Sequence, residues 1–168
     1  MAIAEAMNNI GRIVAMDIHE HRLGLIENET KRLGVKIVET VKWDVREVKE
    51  DLVGKADCVL VDVPCSGFGT ARRKPEVKYK AFDEAMKALP KVQLDILTAS
   101  SQYVKPNGAL VYSTCTIGRR ENSDVVDAFL KDNDEFELTD MIQLMPITGR
   151  TDGFFVSKLR RKGTVLGG

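Results

Sequence analysis

Four short apolar or β-branched runs, each closed by polar or turn-forming residues, constrain the fold of this chain more than any other feature. They occupy residues 11–17, 35–41, 57–63 and 108–114. Runs of this length and composition are typical of strands that are buried on both faces of a sheet. The sequence therefore predicts four strands of a mainly parallel sheet.

Helical patterns lie between these runs. Apolar side chains recur at three- and four-residue steps in two segments, one with Leu23, Ile26, Thr30 and Leu33, the other with Leu89, Val92, Ile96, Ala99 and Tyr103. A further helix is predicted over residues 123–133. Pro106-Asn107-Gly108 is predicted to stop the second helix and to turn the chain into the next strand, because proline lacks a donor and glycine tolerates a positive φ.

The C-terminal part predicts a different connection. Residues 135–139 and 153–159 look like two strands, separated by a loop with Pro146 and Gly149, and are predicted to form an antiparallel hairpin. Alternating strands and helices give an α/β fold whose ligand site lies beyond the carboxyl ends of the parallel strands. With 168 residues and no low-complexity linker, a single domain is expected.

Composition excludes several classes of protein. The 25 basic and 25 acidic residues cancel, so no global positive field favours nucleic acid, and local Lys and Arg clusters would have to supply it. No apolar run is long enough to cross a bilayer. The three cysteines, Cys58, Cys65 and Cys115, are too few for a disulfide framework, and a reducing cytoplasmic setting is expected.

Two of these cysteines follow predicted parallel strands. Asp62-Val63-Pro64-Cys65-Ser66-Gly67 ends one strand and Ser113-Thr114-Cys115-Thr116 ends the next. The carboxyl ends of parallel strands meet at one edge of a sheet, so both thiols are expected there. A thiol becomes a nucleophile when nearby positive charge favours its thiolate, and candidate cations are Arg72, Arg73, Lys74, Arg119 and Arg120.

Alternatives to thiol chemistry remain open at this point. Pro64 and Gly67 could simply shape a turn, with Cys65 as a small apolar side chain. Metal binding is a weaker alternative, because no Cys-x-x-Cys pair occurs. His19 and His21 are interpreted as solvent-facing residues at the start of a helix, so no metal site is expected.

Acidic residues follow the first two predicted strands. Asp17 ends the first, at the position from which a carboxylate of a nucleotide-binding αβ unit accepts bonds from ribose hydroxyls. Asp44 follows the second and could accept a hydrogen bond from an adenine amino group, next to Trp43. A plain helix cap at Asp44 is an equally credible interpretation.

A basic block follows the first cysteine motif. The segment Arg72-Arg73-Lys74-Pro75-Glu76-Val77-Lys78-Tyr79-Lys80 places five cations around one aromatic residue. This composition suits phosphate contact and base stacking in single-stranded RNA. A solvated loop is the alternative.

Taken together, these motifs resemble a known family. The two cysteine motifs, the basic block, Gln93 with Leu97, Glu121-Asn122 and Asp152-Gly153-Phe154-Phe155 occur in the order found in RNA cytosine-C5 methyltransferases of the bacterial Sun/Fmu type. The resemblance spans nearly the whole chain. It implies a class I, Rossmann-like methyltransferase sheet with a C-terminal antiparallel hairpin, and S-adenosylmethionine as the cofactor.

The resemblance also implies roles for individual residues. Cys115 would add to C6 of a cytosine in ribosomal RNA, and Cys65 would assist breakdown of the adduct. Asp62 would orient the ring and stabilise charge on its N3 side. Asp17, Asp44, Asp62 and Pro64 would contact the cofactor, and Arg72, Arg73, Lys74 and Lys78 the RNA. The target cytosine would be single-stranded or flipped out of a helix.

The chain departs from this family at its start. A complete member opens the domain with a strand and a glycine-rich loop, and residues 1–10 here match the end of the helix that follows them. We therefore expect an N-terminally truncated methyltransferase domain over residues 1–168, with weak cofactor binding and little catalysis alone. The missing central strand predicts re-paired strands or a homodimer formed by strand exchange.

Two other functions fit parts of this pattern. A non-catalytic RNA-binding or scaffold domain would explain the basic block without a cofactor loop, although retention of both cysteines argues against it. An α/β methyltransferase acting on DNA or a small molecule would share the sheet. The motif Asp62-Val63-Pro64-Cys65 differs from the Asp-Pro-Pro-Tyr pattern that amino methylation would favour.

Overall fold

The first 47 residues fold around a pair of parallel strands. The structure, a computed structural model, describes residues 1–75, 84–146 and 151–163, and the chain divides into two units, Met1–Glu47 and Val48–Gly168. The first unit contains α1 (Ala2–Ala6), β1 (Ile13–Asp17), α2 (Glu20–Leu33) and β2 (Val38–Lys42). Strands β1 and β2 pair in parallel, from Ile13 opposite Val38 to Asp17 opposite Lys42.

Local sequence signals explain where helix α2 ends. Gly34 adopts a left-handed conformation with φ of 66° at its C-cap, and Lys31 and Arg32 occupy the last turn. A glycine at this position avoids the steric cost of positive φ, and cations favour the negative end of the helix dipole. Leu23 and Thr30 form the buried side of the helix. This confirms the predicted strand–helix–strand unit.

The second unit is built on a mixed four-stranded sheet. In chain order it contains β3 (Ala56–Asp62), α3 (Glu84–Ser101), β4 (Val104–Thr114), α4 (Ser123–Asp132), β5 (Phe136–Leu144) and β6 (Phe154–Arg161). The sheet order is β3-β4-β6-β5. Strands β3 and β4 are parallel, whereas β6 is antiparallel to both β4 and β5. The predicted C-terminal hairpin is therefore confirmed.

The core of this unit lies against strand β4. Its fully buried large side chains come from α3, β4, α4 and β6, and they include Leu97, Leu110, Tyr112, Phe129 and Leu159. Phe129 packs edge-to-face on Phe136, with ring centroids 5.4 Å apart. This packing fixes the carboxyl ends of β3 and β4, after which the two cysteine motifs begin. No helix in the described part of the chain is long and apolar enough to span a bilayer.

One predicted boundary is wrong. Helix α3 ends at Ser101, five residues before Pro106, and β4 already begins at Val104. The pairing with β3 jumps from Ala56 opposite Val104 to Cys58 opposite Ala109, so Pro106 lies in a bulge within the strand. A proline cannot donate to a ladder, and a bulge accommodates it. The proline therefore shapes the strand and does not end the helix.

Among the described strands, β1 pairs only with β2, and β3 pairs only with β4. The outer edge of β3 is consequently open, and its Leu60 is 53% exposed although it lies in an apolar strand. Unpaired backbone groups at such an edge can pair with a further strand.

Candidate active site

The two cysteine loops meet beyond the ends of β3 and β4. Asp62 lies opposite Ser113 in the last paired position, and the loops that follow bring the Sγ atoms of Cys65 and Cys115 within 3.2 Å of each other. Both are free, half-buried thiols, whereas Cys58 is exposed on β3. The prediction that the two thiols share one edge of the sheet is confirmed.

Buried polar groups hold the Cys65 loop from behind. The main-chain N–H of Ser66 donates to Oε2 of Glu121 at 2.8 Å. Nε2 of Gln93 donates to the carbonyl oxygen of Pro64 at 2.9 Å and to Glu121 Oε2 at 3.1 Å. The hydroxyl of Tyr112 donates to the carbonyl oxygen of Glu121 at 2.6 Å. Helix α3, strand β4 and the Cys65 loop thus converge on one residue, Glu121, in the turn before α4.

The Cys115 loop has its own set of bonds. The hydroxyl of Thr114 donates to Oδ1 of Asn122 at 2.6 Å, and Nδ2 of Asn122 donates to the carbonyl oxygen of Thr116 at 3.1 Å. The hydroxyls of Ser66 and Thr116 lie 2.9 Å apart and connect the two loops. Each loop is therefore fixed by buried side chains on both sides of its cysteine.

Two glycines, Gly69 and Gly153, allow backbone segments to pack closely beside the Cys115 loop. The N–H of Gly69 donates to the carbonyl oxygen of Cys115 at 3.0 Å, and the N–H of Gly153 donates to the carbonyl oxygen of Gly69 at 2.9 Å. A Cβ atom on Gly69 would overlap the carbonyl of Gly153, and one on Gly153 would overlap Ile117. Only glycine permits so close an approach of backbones.

The environment of Cys65 favours its neutral form. Burial raises the pKa of this thiol to about 12, and the hydrogen bond to Cys115 and the charge of a Cys115 thiolate add to the effect. Cys65 thus keeps its proton at neutral pH and can donate it to the sulfur of Cys115. Burial also raises the pKa of Tyr112 above its usual range, with the Glu121 carboxylate as the second cause. Of the two cysteines at this edge, Cys65 is therefore the one whose surroundings hold it in the neutral form.

Two predicted site residues, Asp62 and Pro64, lie in the exposed segment that leads into the Cys65 loop, which we call the mouth of the site. Asp62 is exposed at the end of β3 and accepts a 3.3 Å hydrogen bond from the hydroxyl of Ser113. Pro64 is exposed as well, and its carbonyl oxygen is bonded to Gln93. The structure thus brings Asp62, Pro64, Cys65 and Cys115 together in the second unit.

The two other predicted acids belong to the first unit. Asp17 accepts a 2.7 Å hydrogen bond from the N–H of His19 and lies 3.4 Å from Nη1 of Arg22. Both oxygens of Asp44 bind the guanidinium of Arg46, and this hydrogen bonding lowers the pKa of Asp44 to about 2. No described helix begins at Asp44, so the helix-cap alternative is wrong. Both acids are half-buried acceptors at the ends of β1 and β2.

The described residues of the predicted basic block differ in their contacts. Arg72 and Lys74 are exposed, but Nη2 of Arg73 forms an ion pair with Asp152, whose side chain is only 4% exposed. Lys78 lies outside the described residues. Arg119, a predicted activator of the thiolate, pairs with Asp124 at 3.2 Å.

The histidines are exposed at the start of α2, where His19 is the N-cap, as predicted. No group of three or more His, Cys, Asp or Glu side chains suited to a metal ion occurs within the described ranges.

Sequence reasoning missed the roles of several residues at this site. Gln93 and Glu121 were singled out only as parts of family motifs, and Gly69 was not singled out at all. The available signal was a glutamine among the apolar positions of α3. The structure shows Gln93 fully buried, and buried amides require hydrogen-bond partners. Nothing in the local sequence of Glu121 reveals that its carboxylate points into the protein.

Comparisons with known proteins identify the family of this chain. The family model described as "16S rRNA methyltransferase RsmB/F" matches residues 1–160. The chain belongs to the RsmB/F family. The probable ribosomal RNA small subunit methyltransferase B of Bacillus subtilis is 37% identical, over 96% of this chain and 40% of that protein. The ribosomal RNA small subunit methyltransferase F of Shewanella amazonensis is 32% identical, over 97% of this chain and 38% of that protein.

Solved structures extend the RsmB/F assignment to the fold. The crystal structure of NSun6 from Pyrococcus horikoshii with SFG has a TM-score of 0.83 and 31% identity, over 95% of this chain and 44% of that chain. A methyltransferase homolog protein from the same organism has a TM-score of 0.80 and 29% identity, over 95% of this chain and 56% of that chain. The predicted Rossmann-like methyltransferase fold is confirmed. The RsmB/F chain spans about two fifths of the length of the curated relatives.

Proposed function

We propose that this chain carries the catalytic centre of an enzyme that methylates C5 of cytosine in ribosomal RNA with S-adenosylmethionine. The observation that carries the proposal is the 3.2 Å approach of the Cys65 and Cys115 sulfur atoms at the ends of two parallel strands. One thiol can attack a base covalently while the second stands within reach of the adduct. A single cysteine would not offer both functions.

Cys115 acts as the nucleophile in this mechanism. Its thiolate forms a bond to C6 of cytosine, and the electron pair of the C5–C6 double bond becomes available at C5. The cofactor supplies one piece of chemistry, an electrophilic methyl group on sulfonium, which C5 takes up. Asp62, exposed at the mouth of the site, orients the ring from its N3 side.

Cys65 then acts in release. The C5 proton must leave so that the double bond reforms and the Cys115 thiolate departs from C6. Burial is the main cause of the raised pKa of Cys65, and while Cys115 is a free thiolate its hydrogen bond and charge raise that pKa further. Bonding of Cys115 to carbon removes that charge, and Cys65 becomes easier to deprotonate. Cys65 first gives its own proton to water, and its thiolate then takes the proton from C5 as the double bond reforms and the bond from Cys115 to C6 breaks.

The acids of the first unit suit a nucleoside cofactor. Asp17 and Asp44 offer side-chain oxygen acceptors at the carboxyl ends of β1 and β2, where ribose hydroxyls and an adenine amino group would find partners. Pro64 would shape the methyl-donor pocket. The NSun6 structure was determined with SFG, an analogue of S-adenosylmethionine, which supports this cofactor for the family.

The RNA would approach along exposed cations. Arg72 and Lys74 are exposed and are proposed to contact phosphates, together with Lys78. Arg73 contributes mainly through Asp152, to which it is bound. Both thiols must reach C6 and C5, so the substrate is a single-stranded or flipped cytosine. Because free thiols are required, a reducing cytoplasmic compartment suits the reaction.

Strand exchange is proposed for the assembly. Among the described strands, β1 and β3 are each paired on one side only, and Leu60 of β3 is 53% exposed. A homodimer that pairs these edges would satisfy their backbone groups. Light scattering coupled to size exclusion should give twice the chain's mass of 18.7 kDa, and a monomer across the micromolar range would reject the dimer.

The experiment that tests the reaction traps its covalent intermediate. The protein is incubated with S-adenosylmethionine and an RNA that carries 5-fluorocytosine, from which no C5 proton can leave. We expect a stable protein–RNA adduct, in low yield because this chain is expected to bind the cofactor weakly, that disappears in Cys115→Ala and persists in Cys58→Ala, the matched control for an exposed thiol. Absence of an adduct with every RNA fragment of the small subunit would reject the proposed function for this chain.

A further inference from the structure

A buried pair of polar side chains, Gln93 and Glu121, lies behind the two thiols and takes no part in the proposed bond-making steps. Gln93 is fully buried in α3 and Glu121 is 8% exposed. Neither reaches the mouth of the site, where Asp62 is exposed. Their position relative to Cys65 gives them a function.

The bonds of this pair converge on the loop that carries Cys65. Gln93 binds the carbonyl oxygen of Pro64, and Glu121 binds the N–H of Ser66, so the peptide groups on both sides of Cys65 are held. The bond between Gln93 and Glu121 joins the two contacts into one clamp. Tyr112, in the core of β4, anchors the main chain of Glu121.

The clamp is costly for folding. The described donors to the Glu121 carboxylate are neutral amides, and the buried Oε1 of Gln93 has no hydrogen-bond partner. Buried carboxylates and unsatisfied amide oxygens both destabilise a fold. A leucine in place of both side chains would avoid this cost, whereas leucine at position 93 alone would leave the Pro64 carbonyl and the Glu121 carboxylate without the Gln93 donor. A polar pair that stays in such a place requires a reason other than stability.

We infer that Gln93 and Glu121 are positioning residues that hold Cys65 at the sulfur of Cys115, so that the second thiol can act in adduct release. Glu121 acts as a hydrogen-bond acceptor in this clamp, not through its charge. The role in release rests on the proposed function, whereas the positioning itself can be measured without RNA or cofactor.

The distance between the thiols can be read by their oxidation to a disulfide. Diamide takes two electrons and two protons from a pair of thiols and leaves an S–S bond, and intact mass then falls by two hydrogens. The assay is done in a Cys58→Ser background, so that only Cys65 and Cys115 remain. The rate at low diamide concentration reports how often the two sulfur atoms are correctly placed.

Four variants separate positioning from general destabilisation. Glu121→Ala and Gln93→Leu remove the clamp and should slow disulfide formation about tenfold, since a displacement on the order of 1 Å strongly slows a reaction between positioned groups. Glu121→Gln keeps an acceptor oxygen and should retain the rate within about twofold. Glu137→Ala removes a glutamate that pairs with Arg160 away from the clamp and is the matched control.

Each outcome decides the inference. If Gln93→Leu forms the disulfide as fast as the background protein, the clamp does not position Cys65. Gln93→Leu alone decides the question if Glu121→Ala does not fold. A rate in Glu121→Gln as slow as in Glu121→Ala would overturn the acceptor role. Failure of the 5-fluorocytosine adduct would reject the proposed function and leave the disulfide rates, and hence the clamp, to be judged separately.

Discussion

The thiol pair of the second unit and the acids of the first unit occupy equivalent places, at the carboxyl ends of parallel strands, but they are held in different ways. The partners of the Cys65 loop are far away in sequence, as in the bond from Ser66 to Glu121, 55 residues apart. The partner of Asp44 is Arg46, two residues away. In the proposed function the two thiols act on one base and need long-range fixation, whereas the proposed acceptors for a diffusible cofactor can be held locally and remain accessible.

The largest effect should follow from a methyl group at the backbone crossing beside Cys115. Gly69→Ala places Cβ into the carbonyl of Gly153, and such overpacking should reduce the free energy of unfolding by about 3 kcal/mol. Gly24→Ala, in α2 of the first unit, has no atom within 4 Å of the new Cβ and should stabilise by about 0.5 kcal/mol. Urea unfolding measures both, and equal values for the two variants would remove the contrast.

The next effect distinguishes two adjacent arginines. Arg73→Ala leaves the nearly buried carboxylate of Asp152 without its ion pair and should destabilise by about 1–3 kcal/mol. Arg72→Ala alters an exposed side chain and should change stability by less than about 0.5 kcal/mol. For RNA affinity the opposite order is expected: Arg72→Ala should weaken RNA binding more than Arg73→Ala, although it leaves the protein folded. Thermal unfolding measures the stability of both variants, and filter binding at two salt concentrations measures their RNA affinity. Similar melting temperatures for Arg73→Ala and Arg72→Ala would show that Asp152 does not need Arg73.

The free energy of unfolding should decrease at alkaline pH because of Cys65 in the second unit. The pKa of Cys65 is raised in the folded state to about 12 from an ordinary 9.0. Its stabilising contribution is complete below pH 9.0 and is lost as pH rises through about 12. The urea midpoint should therefore fall as pH rises from 9.0 to about 12. Cys65→Ala should flatten this slope and Cys58→Ala should not, and an unchanged slope in Cys65→Ala would exclude this thiol as a cause.

The smallest effect on stability should come from the first unit. Asp44→Asn removes a surface ion pair with Arg46 and should cost less than about 1 kcal/mol. If Asp44 contacts the cofactor, the same variant should weaken S-adenosylmethionine binding about tenfold in calorimetric titration. Asp51→Asn, which removes the pair with Lys49, is the control and should leave binding unchanged. Equal binding by both variants would exclude Asp44 from the cofactor site.

Much of the fold was predictable because strand signals are local. The apolar runs marked β1, β2, β3 and β4 within a few residues, and the rule for parallel strands placed Cys65 and Cys115 at one edge. The error at Pro106 has a physical reason. A proline inside a strand is rare, and only the pairing with β3 shows that a bulge accommodates it.

The sequence by itself determined where the strands run and which thiols follow them, because residue types and their periodicity act over short distances. Only the tertiary structure decided that Arg73 serves Asp152, 79 residues away, and that Gln93 and Glu121 hold the Cys65 loop. Those roles depend on which buried donors meet which acceptors. Such pairings arise when helices pack on the sheet, and no local pattern encodes them.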